Sequence, residues 1–138
     1  MKEKFDAESR DEYVYYRIQR ALETLEEADC LADNGHFSGA VNRLYYACYY
    51  IVTALLIYYD IDASSHAGVK SMFALKFIKT GIMDIEYGKF FNEIFQLRHS
   101  NDYDDFTFCD EATYKNYRPK AEALITSIKN DLFPESNP

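Results

Sequence analysis

From Val14 the apolar positions fall at Ile18, Ala21, Leu25, Ala28 and Ala32, steps of four, three, four, three and four that follow the turn of an α-helix. Arg20, Glu23, Glu26 and Glu27 lie mostly on the other side, so the pattern predicts a helix over about residues 8–34 with one buried stripe. Gly35 is placed to cap its C-terminus. Ser38 is expected to cap the start of a second helix reaching about Tyr59, whose apolar residues run all the way round the axis and which must therefore be central. A linker around Asp60 to Ser65 leads to a third helix, about 66–79, with Val69, Met72, Phe73, Phe77 and Ile78 inward and Gly81 ending it. Asp84 can cap a fourth, about 85–102, that turns Tyr87, Phe90, Phe91, Ile94 and Leu97 to a core and ends in the polar run 101–105. A last helix is predicted from about Asp110 to Leu132, its buried face marked by Ala121, Leu124, Ile125, Ile128 and Leu132, with Pro119 expected to kink or divide it. Five helices with short connections predict an all-α, up-and-down bundle: a four-helix core plus one short helix, a single domain over 1–138 with its core at about 10–132 and a loose tail at 133–138.

Composition agrees with one such domain. At 138 residues and 48% hydrophobic, the chain can bury a core without disulfides or a structural metal. Cys30, Cys48 and Cys109 are odd in number and widely spaced, with no paired Cys/His spacing, so they are expected to be small buried hydrophobes and no metal site or cofactor is expected. Leu44 to Tyr59 is 16 residues without a charge, but a helix that long spans only ~24 Å of a ~30 Å hydrocarbon layer, and six of its residues are tyrosines. It is read as buried in a protein or in a subunit interface, and with no apolar leader at Met1 to Asp6 the expected location is the cytoplasm, away from membranes. The net charge of −8 opposes non-specific binding to polyanions. It is uneven: residues 66–99 carry Lys70, Lys76, Lys79, Lys89 and Arg98 against Asp84, Glu86 and Glu93, so an anionic ligand is expected there.

Two groups of side chains could carry chemistry. The tyrosines cluster at 13, 15, 16, then 45, 46, 49, 50, then 58 and 59. Each is either core filling or part of a platform that stacks bases or packs a partner. For the all-round apolar second helix, a symmetric homodimer is the expected way to cover its tyrosine face. The second group is Gln96 to Asp105, where Arg98 and Asp102 are four apart on one face and His99 and Tyr103 form another such pair. These are a surface salt bridge near a helix end, or a phosphate site in which Arg98 grips an anion and His99 moves a proton near neutral pH. His66 opens the third helix, where it would either cap the helix or stay neutral beside an anion. No GxGxxG, GxxxxGKS/T, HExxH or GxSxG motif is present, which sets those enzyme classes aside.

The ordered set Asn42-Arg-Leu-Tyr-Tyr-Ala47, Ser65-His-Ala-Gly-Val69 and Leu97-Arg-His-Ser-Asn-Asp-Tyr-Asp-Asp-Phe106 resembles the HEPN family of small helical proteins, in its stand-alone prokaryotic branch. The resemblance implies a five-helix bundle that dimerises, a toxin–antitoxin-like setting, and a nucleotidyltransferase partner protein. Many members are metal-independent endoribonucleases whose motif is Arg, four to six residues, then His. Arg98 matches the arginine, but the positions where the histidine would stand are Tyr103, Asp104 and Asp105. Two readings follow. In one the protein is a module that binds a nucleotide, RNA or the partner through Arg43, Tyr46, His66 and Arg98. In the other it is an RNA-cleaving toxin with an atypical site of Arg98, Asp102, Tyr103 and His99. The incomplete motif and the acidic surface favour the first.

Overall fold

A computed structural model of the chain describes residues 7–100 and 109–134. The described residues form helices α1 (Ala7–Asp33), α2 (Phe37–Tyr58), α3 (His66–Phe73), α4 (Ile85–Ser100) and α5 (Glu111–Leu132). α1, α2, α4 and α5 each lie within two residues of the span the apolar spacing predicts, whereas α3 stops short of its predicted end. The bundle is all-α, as expected.

The α1 stripe of Val14, Ile18, Ala21, Leu25 and Ala28 is buried, against α2. α1 then closes on a paired motif in which the His36 N–H bonds to the Leu31 carbonyl at 2.8 Å and the Gly35 N–H to Ala32 at 2.9 Å. Gly35 stands at φ +79°, a left-handed conformation that glycine adopts without a Cβ penalty. α2 is the central helix. It touches α1, α3, α4 and α5, and Leu44, Tyr45, Ile51, Leu55 and Leu56 are almost fully enclosed. By length and composition it could cross a membrane, yet two thirds of its most apolar stretch (67%) is covered by the rest of the bundle. α1, α2, α5 and α4 each pack on the next, α5 returns to α1, and α3 sits against α2 and α4.

Several local expectations change. Ser38 does not cap α2: His36 occupies that position without a side-chain bond, and the Ser38 hydroxyl donates instead to the Cys109 carbonyl at 3.4 Å. α3 does not run on as an α-helix to 79. Its last turn, Ala74–Ile78, widens into a π-helix, with the Lys79 N–H bonded to Ala74 five residues back, before Gly81 turns at φ +81°. Pro119 does not divide α5, because it lies on the exposed outer face, where water can satisfy the carbonyl that loses its donor. Of the cysteines only Cys48 is buried. Cys109 is half-buried and Cys30 is exposed, since it lies off the apolar stripe of α1. The cap at Asp84 forms as expected, its Oδ1 accepting from the Glu86 N–H at 2.9 Å, and Asp110 caps α5, its Oδ1 accepting from the Thr113 N–H at 2.9 Å.

One close approach sets the position of α4. A Cβ on Gly88 would lie 2.9 Å from both γ-carbons of Ile78, at the end of the π turn, so the absence of a side chain there lets α4 seat against α3. A second link is carried by charge and ties α1 to α5. Asp29 accepts from Arg118 Nε at 2.7 Å and Nη2 at 2.9 Å and also receives the Tyr114 hydroxyl, and Arg118 reaches Glu122 at 2.6 Å.

Candidate functional site

The tyrosines of α2 lie one turn apart, at 45 and 49 and at 46 and 50, so the helix presents a ladder of rings. Ser65 caps α3 by accepting from the Gly68 N–H at 2.9 Å, which fixes the first turn and aims His66, the first helical residue, at that ladder. The capping role thus belongs to Ser65, and His66 is a packed side chain. Its ring stacks on Tyr49 (centroids 4.2 Å apart, 10° between planes) and its Nδ1 lies 2.7 Å from the Tyr45 hydroxyl.

Burial keeps both partners of that bond neutral. Burial pushes the Tyr45 phenol far above its ordinary value, so it keeps its proton. Burial, with help from His99 and Arg98, pulls His66 below 6.5, so the imidazole is neutral at pH 7. The bond thus joins two neutral groups through Nδ1, and it leaves Nε2 of His66 outside the pair.

α4 completes the site. Phe95 is buried and stacks on His99 (4.2 Å, 25°), and the two imidazoles, from α3 and α4, stand 5.9 Å apart. Arg98 is half-buried, and its charge is felt at both Tyr45 and His66. Lys70 lies over Phe95 at 4.7 Å and donates to Asn92 Oδ1 at 3.1 Å. On the other side Arg43 covers Tyr46 at 5.1 Å and reaches Glu27 at 3.6 Å. The fold thus brings Arg43, Tyr46, His66, Arg98 and His99 onto one wall. Asp102 and Tyr103 lie outside the described residues. Sequence reasoning did not join Tyr45, Tyr49 and Phe95 to the site, although the i, i+4 rhythm of the tyrosines was its signal.

Charge pairing separates the arginines. Arg10, Arg20, Arg43 and Arg118 each have a carboxylate within 4.0 Å. Among the described residues Arg17 and Arg98 have none. A half-buried guanidinium with no counter-ion among the described residues, near a neutral imidazole, suits an anion, and for a planar phosphate edge Arg is the better-shaped cation. Among the described residues no cluster of His, Cys, Asp and Glu could hold a metal ion. A groove of about 270 Å³ between α4 and α5, lined by Glu86, Phe90, Glu93 and Lys120, includes none of the wall's residues.

Comparison with known proteins agrees with this architecture. Residues 14–131 match the model of the HEPN domain. A UPF0332 protein of Thermotoga maritima is 37% identical over 120 residues, covering 87% of this chain and 91% of that one. Two proteins of Methanocaldococcus jannaschii carry the names "Putative toxin MJ0142" and "Putative toxin MJ0605". The first is 36% identical over 78% of this chain and 69% of its own length, the second 34% over 96% and 97%.

Proposed function

This chain belongs to the HEPN family, and from that premise we propose that it is the toxin-like member of a toxin–antitoxin or defence-type system, a cytoplasmic homodimer that binds RNA or a nucleotide and works with a nucleotidyltransferase partner. The observation that carries the binding reading is Arg98, a guanidinium with no described carboxylate, whose charge is felt by a neutral His66 on an aromatic wall. Arg98, with the Nε2 edge of His66, would hold a phosphate, and the half-buried rings of Tyr46 and Tyr49 would pack a base or ribose. The names of the relatives support the toxin-like setting.

Proton inventory favours binding over cleavage. With Nδ1 engaged by Tyr45, His66 offers only Nε2 to a substrate, and one nitrogen cannot make both proton transfers at once. Cutting RNA through its 2′-hydroxyl needs one group to take that proton and another to return one to the 5′-oxygen as the P–O bond breaks. Cleavage is the second reading, supported by the proximity of the two rings and of Arg98.

One experiment tests both. Labelled RNA and nucleotides are titrated with wild type and Arg98→Ala, and the same mixtures, with EDTA present, are resolved on a denaturing gel. Arg98-dependent binding with intact RNA supports the module. Arg98-dependent fragments would replace it with the nuclease, and no binding of either ligand would refute both readings.

A further inference from the structure

The aromatic wall does not stop at His66. Tyr49, stacked on that ring, lies 6.2 Å from Tyr50, and over Tyr50 sits the guanidinium of Arg17, 5.5 Å from the ring centroid. Arg17 is also 5.3 Å from the Tyr13 ring and donates from Nη2 to the Tyr13 hydroxyl at 3.1 Å. Its Nε is buried without a hydrogen-bond partner. The charge of Arg17 reaches Tyr49, as that of Arg98 reaches Tyr45 and His66. Thus the two arginines that lack a described carboxylate partner act on different members of one run of rings, Arg17 over Tyr13 and Tyr50 and Arg98 on Tyr45 and His66. The arginines between them are otherwise disposed: Arg20 is paired with Glu23 at 2.9 Å, and Arg43 reaches Glu27.

This distribution has a physical reading. A guanidinium held between two tyrosine faces keeps its charge while its position is fixed by the rings, so little side-chain entropy is lost when an anion arrives. Separate cations joined by aromatic faces are what a single-stranded nucleic acid requires, with phosphates at the cations and bases or sugars on the rings. A mononucleotide could engage only one end. The chain as a whole, at net charge −8, repels a polyanion, which favours binding at the run of rings.

We propose that Arg17, held by Tyr13 and Tyr50 on the run of rings that continues from His66 and Tyr49, is a second phosphate anchor, and that the ligand of this site is a single-stranded oligoribonucleotide long enough to bridge the two arginines. The assignment rests on the nucleic-acid-binding reading of Arg98.

The test is fluorescence anisotropy with labelled AMP and a labelled single-stranded tetraribonucleotide, on wild type, Arg17→Ala, Arg17→Gln and Arg98→Ala, with thermal melts on each. The Gln variant keeps a planar polar group over the rings if Ala unsettles the fold. Both Arg17 variants are expected to weaken the tetranucleotide roughly tenfold and to shallow its salt dependence by about 0.7 in log–log slope, with AMP affinity unchanged. Arg98→Ala is expected to weaken both ligands. Equal loss of both ligands in the Arg17 variants, or no loss of either, overturns the second anchor while leaving Arg98 in place. A changed oligomeric state of the Arg17 variants with unchanged tetranucleotide affinity assigns the residue to a protein interface and also overturns it. Failure of wild type to bind either ligand removes the parent reading and this one together.

Discussion

Gly88 offers a sharp test of how the helices that carry the site are seated. In a helix interior, replacing Gly by Ala ordinarily stabilises by about 1 kcal/mol. Here the new methyl carbon would meet Ile78 Cγ1 and Cγ2 at 2.9 Å and Cδ1 at 3.3 Å, well inside the ~3.5–4.0 Å optimum for two carbons. Both γ-carbons hang from a β-branched Cβ with restricted χ1, so Ile78 cannot swing clear without losing its packing. Overpacking of this kind costs about 1–3 kcal/mol, which outweighs the propensity gain and makes Gly88→Ala destabilising by about 1 kcal/mol. Ile78→Ala removes all three contacting atoms. In that background Gly88→Ala should revert to its intrinsic behaviour and stabilise by about 1 kcal/mol, a coupling of about 2 kcal/mol. Urea unfolding of the four proteins, followed by circular dichroism, measures the cycle. The same sign of Gly88→Ala in both backgrounds would refute the reasoning: stabilisation in both would mean that α4 slides away freely, and destabilisation in both that something other than Ile78 forms the wall.

Thr24 is fully buried and its hydroxyl has no partner, so the nearly isosteric Thr24→Val should stabilise the fold by about 1 kcal/mol, read as a raised urea midpoint at constant slope. The Arg118 guanidinium holds Asp29 below its ordinary 3.8, so the stability from this pair is present above that value and lost as pH falls through the lower folded value; Asp29→Asn should flatten the acid limb of a Tm–pH curve there. At neutral pH the same variant should cost no more than about 1 kcal/mol, because the Asp29 side chain is 42% exposed and solvent screens the pair. His66 is also depressed, from 6.5, by burial, so the folded state disfavours its protonation and stability should decline as pH falls below 6.5; His66→Phe should remove that decline, whereas an unchanged slope would place its origin elsewhere.

What the sequence made legible was governed by local physics. The helix spans followed from apolar spacing, the ends of α1 and of the α3 segment from glycines that do stand at positive φ, and the centrality of α2 from its all-round apolar surface. The errors arose where a distant contact decided the outcome. Ser38 reads as a cap because serine suits that place, but the turn at Gly35 uses the His36 N–H and starts α2 at Phe37, freeing the hydroxyl for Cys109. Pro119 reads as a break because the sequence does not say which face of α5 meets water. At the site, Arg98 and His66 were visible as residue types, while the Tyr45–His66 bond and the proximity of His99 exist only because three helices meet. The bridge from Asp29 to Arg118 spans 89 positions and leaves no local signature.

The three-residue link between α1 and α2 also shapes the order in which the molecule comes together. Contacts between helices joined by Asn34, Gly35 and His36 close a short loop, so the α1–α2 hairpin is the inexpensive first step of folding, whereas α3 and α4 must dock after longer excursions of the chain. The wall's tyrosines ride on the early unit and His66, Arg98 and His99 on the late one. Amide exchange should then show α3 and α4 opening at lower free energy than α1 and α2. A ligand that bridges the two units would slow exchange most in α3 and α4, the helices farthest in free energy from the stable hairpin.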